Sequence, residues 1–295
     1  MKIKKLAAID IGSNAVRLLI NYIYESEKTP IFNKETLVRV PLRLGKDVFS
    51  DGKISGYNIN RLSDTLNAFK LLINVFQVED YMVYGTSALR ESENGKEVIE
   101  MIKERTGIVI ELIEGEKEAE LILSQKLDDL LTDNKNYVYV DVGGGSTDIC
   151  IFKHKGEKIS NSFKIGTVRF LEGKVEEEQM DEMKKWILKN TKAKEVELIG
   201  SGGNINHVRR HFFETEQETI TYNQLNKKYK EIKKLSVEER MKQFQMKPDR
   251  ADVIEPALNI YTSIMKWTDA QFIHVPKIGV SDGMIQHLYY KKNKK

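Results

Sequence analysis

One short design occurs twice in this sequence. The segments Ala8-Ile9-Asp10-Ile11-Gly12-Ser13-Asn14-Ala15-Val16-Arg17-Leu18-Leu19-Ile20 and Tyr139-Val140-Asp141-Val142-Gly143-Gly144-Gly145-Ser146-Thr147-Asp148-Ile149-Cys150-Ile151 share it. Each runs from an apolar strand through Asp-apolar-Gly and small residues into a second apolar strand. That pattern describes a β-hairpin in which glycine is expected to supply a turn residue of positive φ. The two aspartates stand 131 positions apart in a chain of 295 residues, so the expectation is two similar domains facing each other.

Between and after the repeats, strand and helix patterns alternate. Ile59, Leu62, Leu66, Phe69, Leu72, Ile73 and Phe76 recur at helical spacing, followed by the strand-like Tyr81-Met82-Val83-Tyr84. A helix is predicted over 96–105, stopped by Gly107, then a strand over 108–113 and a long helix over 116–131 that joins the halves. Further on, strands are predicted at 159–164 and 196–199 and an amphipathic helix at 175–190. The polar stretch 212–245 reads as exposed helices at 223–234 and 237–244, forming a solvated face. The alternation makes the chain an α/β protein.

Composition narrows the partners. Lys and Arg total 47 against 44 Asp and Glu, a formal charge of +3, too balanced to mark a nucleic-acid binder. Cys150 is the only cysteine, so an intrachain disulfide or a multi-cysteine metal site is excluded and a reducing compartment fits. No apolar run reaches the length of about 18 residues that a membrane-spanning helix needs. The expectation is therefore a cytoplasmic protein that uses neither membrane nor nucleic acid, with a homodimer left open.

The chemistry-bearing residues cluster at the repeats. Three glycines let the amides of Gly143, Gly144 and Gly145 approach a phosphate, while Ser146 and Thr147 add hydroxyl donors. Asp141 and Asp148 lie on opposite arms of that hairpin and could share one Mg²⁺, or Mn²⁺, with Asp10 reaching the same ion. Gly12, Ser13 and Asn14 form the corresponding phosphate loop of the first repeat. Gly200-Ser201-Gly202-Gly203-Asn204 follows a strand and precedes a helix, so Gly202 and Gly203 are either a helix-start anion site or a tight connection.

Six segments in order resemble the exopolyphosphatase and guanosine pentaphosphate phosphatase family. They are Ala8-Ile9-Asp10-Ile11-Gly12-Ser13-Asn14, Tyr84-Gly85-Thr86-Ser87-Ala88-Leu89-Arg90, Ile113-Glu114-Gly115-Glu116-Lys117-Glu118-Ala119, Asp141-Val142-Gly143-Gly144-Gly145-Ser146-Thr147-Asp148, Gly200-Ser201-Gly202-Gly203, and Arg250-Ala251-Asp252. The resemblance implies an actin-like ATPase superfamily fold, with two ribonuclease H-like domains facing an interdomain cleft. The expected domains are 1–122, completed by 283–295, and 123–282, the short form without added C-terminal helical domains.

The same resemblance implies that Glu118 is the general base for an attacking water, that Arg90 grips phosphate, and that Asp141 and Asp148 hold the metal. Many relatives carry glutamate where Asp148 stands, and Lys117 and Glu120 exchange the charge signs usual around the base. The implied activity is metal-dependent hydrolysis of the terminal phosphate of inorganic polyphosphate. The alternatives are guanosine pentaphosphate as substrate at the same site, a non-catalytic actin-fold phosphate or nucleotide sensor, and a sugar or acetate kinase of the same fold.

Overall fold

The computed structural model describes residues 2–25, 29–115, 117–118, 121, 135–153, 157–191, 195–213, 218–276 and 279–293. The chain forms two compact units, Met1–Gln125 with Val280–Lys295, and Lys126–Gly279.

In the first unit the repeat becomes β1 (Lys2–Ile11) and β2 (Val16–Glu25), extended by β3 (Ile31–Val40). After α1 (Leu44–Asp51) and α2 (Gly56–Val75) come β4 (Asp80–Gly85), α3 (Ser87–Glu91), α4 (Gly95–Thr106) and β5 (Glu111–Leu112). The sheet order is β3-β2-β1-β4-β5, with β1 to β3 antiparallel and β4 and β5 parallel to β1. The stripe expected on α2 is real: Ile59, Leu62, Leu66, Phe69 and Ile73 are buried, and Ser55 caps the helix by accepting from the Asn58 amide. Gly107 ends α4 in a left-handed conformation (φ 72°), donating to the Lys103 carbonyl at 2.8 Å. Of the strand expected over 108–113 only Glu111 and Leu112 pair, although Ile108, Ile110 and Ile113 are buried.

The second unit repeats the plan. It runs β6 (Asn136–Val142), β7 (Thr147–Phe152), β8 (Lys158–Phe163), α5 (Thr167–Leu171), α6 (Glu177–Thr191), β9 (Val196–Ser201) and α7 (Gly203–Phe212). There follow β10 (Thr219–Thr221), α8 (Tyr222–Lys233), α9 (Val237–Phe244), α10 (Pro248–Ala251), α11 (Ile254–Thr268) and β11 (Phe272–His274). Its sheet order, β10-β11-β9-β6-β7-β8, is that of the first sheet with one antiparallel strand, β10, added at the edge. The chain then enters α12 (Val280–Asn293), which packs on β1 and β2 of the first unit. Strand order and direction in both sheets are those of a ribonuclease H-like domain, and two such units in one chain make the fold actin-like.

Stretch 212–245 departs from the solvated face expected of it. Capping boxes start both helices, Thr221 with Gln224 and Ser236 with Glu239, but α8 buries Leu225 and Ile232 and packs on α11. Phe212 and Phe244 meet edge to face at 4.9 Å, with the Lys228 ammonium 4.5 Å from the Phe212 ring centre. Widely spaced apolar residues there carry one narrow packing stripe among many charges. The helix expected over 116–131 lies largely outside the described residues; Lys117, Glu118 and Leu121 are helical, and Leu121 is buried. Among the described residues no helix is long and apolar enough to cross a membrane.

Candidate functional site

In each hairpin, strand register decides what stands beside the aspartate. Asp141 lies directly opposite Asp148, and this row continues to Ser201 on one side and Ser162 on the other. Both carboxylates are nearly buried, at 7% and 4% exposure, and the Ser146 hydroxyl donates to Asp148 Oδ2 at 3.3 Å. Two register-opposed carboxylates repel each other unless a cation or a proton lies with them. As all-oxygen donors they fit Mg²⁺, which takes one or two carboxylates and completes its shell with water and phosphate oxygens. Among the described residues no third His, Cys, Asp or Glu joins them.

The loop between the strands is held by its carbonyls. The amides of Thr167 and Val168 donate to the Gly143 and Gly144 carbonyls at 3.0 and 2.9 Å, and buried Arg169 donates from Nε to the Gly145 carbonyl at 2.9 Å. Gly143 itself donates to the Ser146 carbonyl at 2.9 Å. The amides of Gly144 and Gly145 have no acceptor among the described residues, so two adjacent donors are left for an anion. The glycines serve close approach rather than the positive φ expected of them: neither Gly12 nor Gly143 is left-handed, and a Cβ on Gly166 would lie 2.3 Å from the Gly144 carbonyl oxygen. The Thr147 hydroxyl, expected to help hold phosphate, instead donates to the Ile165 carbonyl at 2.5 Å.

Gly202 does need its glycine backbone. It has φ 97° and ψ 163°, caps α7, and a Cβ there would lie 2.5 Å from Asp141 Oδ1. The Gly202-Gly203 turn thus brings a helix N-terminus to the Asp141 carboxylate. Arg250 Nη1 donates to Asn204 Oδ1, joining two of the sequence segments singled out above. The buried Tyr261 hydroxyl donates to the Ser201 carbonyl and accepts from the Val142 amide at 3.3 Å, so it ties the ends of β6 and β9 together. Burial, then the Asp141 carboxylate, pushes the Tyr261 and Tyr139 phenols well above their ordinary range, so both stay protonated.

The first hairpin has the same frame and different charges. Gly12 donates to the Ala15 carbonyl at 3.1 Å, while the Ser13 and Asn14 carbonyls accept from Gly45 at 2.8 Å and Arg43 at 3.0 Å. Opposite Asp10 stands Arg17, whose Nη1 lies 2.6 Å from Asp10 Oδ2. The remaining predicted residues also lie in this unit. Glu118 is helical and half-buried, its amide donating to the Glu114 carbonyl at 3.0 Å. Arg90 donates from Nη1 to the Ile113 carbonyl at 2.5 Å and sits 3.3 Å from Glu114, so it anchors the turn that leads to Glu118.

A family model described as the Ppx/GppA phosphatase family matches residues 36–292. The chain belongs to that family. Among curated relatives of this Ppx/GppA chain, the bifunctional 3-dehydroquinate synthase/phosphatase of Fusobacterium nucleatum is 31% identical over 215 residues, 67% of this chain and 32% of the relative. The chain spans less than half the length of the first curated relatives it matches. A crystal structure of the Aquifex aeolicus Ppx/GppA family member superposes with a TM-score of 0.76 at 27% identity, covering 99% of both chains. One of an exopolyphosphatase from Cytophaga hutchinsonii gives a TM-score of 0.78 at 25% identity, covering 99% of this chain and 98% of that one.

Sequence reasoning missed Arg17, Gly45, Gly166 and Tyr261. Arg17 was open to discovery, because it follows Asp10 by the same interval at which Asp148 follows Asp141.

Proposed function

We propose that this Ppx/GppA chain hydrolyses terminal phosphoanhydride bonds, with inorganic polyphosphate as substrate. The observation that carries the reading is the buried Asp141–Asp148 pair, two carboxylates opposed in register, beside the two acceptor-free amides of Gly144 and Gly145. The likeness to the Cytophaga exopolyphosphatase over nearly the whole of both chains supports the choice of substrate.

In this reading the amides of Gly12 to Asn14, of Gly143 to Ser146 and of Gly202 and Gly203 hold phosphate oxygens, and Asp141 and Asp148 hold Mg²⁺ or Mn²⁺. Asp10 contributes with Oδ1, the oxygen that Arg17 does not hold. The bound ion would supply charge neutralisation at the phosphates, worth several kcal/mol in reactions of this kind. Glu118 orients a water and takes its proton as the new P–O bond forms and the bridging P–O bond breaks, the leaving phosphate taking the electron pair. Arg90 neutralises phosphate charge while steadying the turn before Glu118.

Phosphate release from polyphosphate and from guanosine pentaphosphate, with and without Mg²⁺, tests the reading. Glu118→Gln should cut turnover about 10²–10⁴-fold, the usual contribution of a general base. Metal-independent release, or unchanged turnover by Glu118→Gln, would refute it. Guanosine pentaphosphate presents the same terminal bond, and faster turnover of it in direct competition would move the substrate to the nucleotide.

A further inference from the structure

Behind the glycine loop of the second hairpin runs one short segment, 165–169, that meets the loop carbonyl by carbonyl. The Thr167 amide donates to the Gly143 carbonyl at 3.0 Å, and the Val168 and Arg169 amides donate to the Gly144 carbonyl at 2.9 and 3.2 Å. Arg169 completes the series with its side chain, Nε donating to the Gly145 carbonyl at 2.9 Å. The contact is close: a Cβ on Gly166 would lie 2.4 Å from the Gly145 carbonyl carbon.

Three consecutive carbonyls of the loop are thus turned toward one segment. Each shares a peptide unit with the amide of the next residue, and a trans unit points its C=O and its N–H in opposite directions. No peptide bond among the described residues is cis. Holding the Gly143 and Gly144 carbonyls therefore directs the Gly144 and Gly145 amides away from the segment, and these are the two donors without an acceptor among the described residues. A glycine has little conformational preference of its own, so a peptide unit between glycines keeps its direction only where a bond holds it. Arg169 holds Gly145 from both sides, with its amide on the unit before and its guanidinium on the unit after. That guanidinium belongs to a residue only 9% exposed. A bond from a charged donor is roughly twice as strong as one between neutral groups, and hydrogen bonds in series polarise one another.

We infer that Arg169 is a positioning residue for the phosphate loop. Its bond to the Gly145 carbonyl fixes Gly145 so that the amide of that residue faces a phosphate oxygen, and its charge strengthens the hold. Arg169 acts on the anion through the loop. The inference rests on the proposed function, in which this loop holds phosphate oxygens, and assigns the loop's direction to one side chain of the same unit.

Two substitutions separate the bond from the charge. Glutamine carries Nε2 as many bonds from Cα as arginine carries Nε, so Arg169→Gln keeps a donor and removes the charge. Arg169→Met puts a methyl group there and removes both. The full chain is titrated calorimetrically with orthophosphate in saturating Mg²⁺ and, separately, with Mg²⁺ alone, and phosphate release from polyphosphate is followed beside it. Arg169→Met should weaken orthophosphate binding about tenfold, the effect of one hydrogen bond to a charged group, and leave Mg²⁺ binding unchanged. In turnover the loss should fall on KM rather than kcat, because the loop grips phosphate alike in substrate and transition state. Arg169→Gln should recover most of it. Orthophosphate affinity and KM unchanged in Arg169→Met would overturn the inference. Equal losses in the two variants would assign the effect to charge and overturn the positioning role. Orthophosphate and Mg²⁺ affinity falling together with the melting temperature would make Arg169 a structural residue and overturn it as well. A parent that binds orthophosphate yet releases none from polyphosphate or guanosine pentaphosphate would overturn the hydrolytic reading alone, since the variants still report on the loop.

Discussion

The two hairpins share a backbone and differ in the charge opposite one aspartate. In both, an Asp near the end of the first strand has its register partner seven residues on, and a glycine two residues after the Asp donates back across the turn. In both, a glycine beyond the third strand, Gly45 or Gly166, leaves no room for a Cβ against the loop. The partner is Arg17 in one case and Asp148 in the other. The first row is an internally satisfied ion pair. The second is a pair of opposed carboxylates, the place to which the proposed function assigns the metal ion. The same hairpin frame occurs twice, and one position in each hairpin differs in charge.

The sharpest way to break this comparison is to neutralise Asp148. Asp148→Asn should lower metal-dependent phosphate release on the order of a hundredfold or more, since it removes a carboxylate from an ion worth several kcal/mol. The same variant without metal should melt at a higher temperature than the parent, because a like-charge cross-strand pair costs about 0.2–1 kcal/mol. Activity lost together with a lower metal-free melting temperature would mean that the pair is structural.

The equivalent change in the first hairpin should have the opposite sign on stability. Asp10→Asn removes the negative charge from a 2.6 Å ion pair whose carboxylate is 4% and whose guanidinium is 29% exposed. It leaves Arg17 opposed to its register partner on β3, Arg39, so the expected loss is about 1–3 kcal/mol, read from denaturant midpoints. A variant as stable as the parent would show that Asp10 is already held by other means. Gly202→Ala is the next test: its Cβ meets Asp141 Oδ1 at 2.5 Å and its φ is 97°, so it should cost about 1–3 kcal/mol and weaken apparent Mg²⁺ affinity. On Gly12→Ala the nearest atom to the new Cβ is the Ala15 carbonyl oxygen, at 3.2 Å, and the change should do less. Equal effects at the two glycines would erase the distinction between the loops.

Much of this frame was legible before any coordinates. The repeated Asp-apolar-Gly segments gave both hairpins, and periodic apolar residues gave α2, α4 and α6, because local patterning and capping decide those elements. β3 was not legible: Asn33-Lys34-Glu35-Thr36 breaks any apolar alternation, as an edge strand with exposed residues allows. The helix α11 buries residues around most of its circumference, among them Ile254, Pro256, Ile260 and Thr262, so its apolar face is too broad to read as a narrow amphipathic stripe. Gly45, Gly166 and Tyr261 act through contacts between backbones distant in sequence, which composition does not encode. Of the site, the acidic pair and the glycine loop could be read; the Arg169 bond behind the loop could not, because it joins residues 24 apart.

The smallest expected effect separates the units by pH. In the first unit, burial and then Lys117 and Lys291 lower the His287 pKa from 6.5, with Glu111 partly opposing them. The fold therefore holds neutral His287, and its share of stability is complete above pH 6.5. It is lost as pH falls from there through the lowered value, because the unfolded chain binds the proton first. In the second unit burial pushes Glu197 up, but hydrogen bonds from Lys135 at 2.5 Å and His274 at 2.6 Å outweigh it, and the pKa falls below 4.5. That contribution is present above pH 4.5 and fades only as pH drops through the lowered value. Acid should thus weaken the first unit before the second. His287→Gln should flatten the upper limb of a plot of melting temperature against pH, and Glu197→Gln the lower limb. An upper limb as steep in His287→Gln as in the parent would place the first acid-sensitive group elsewhere.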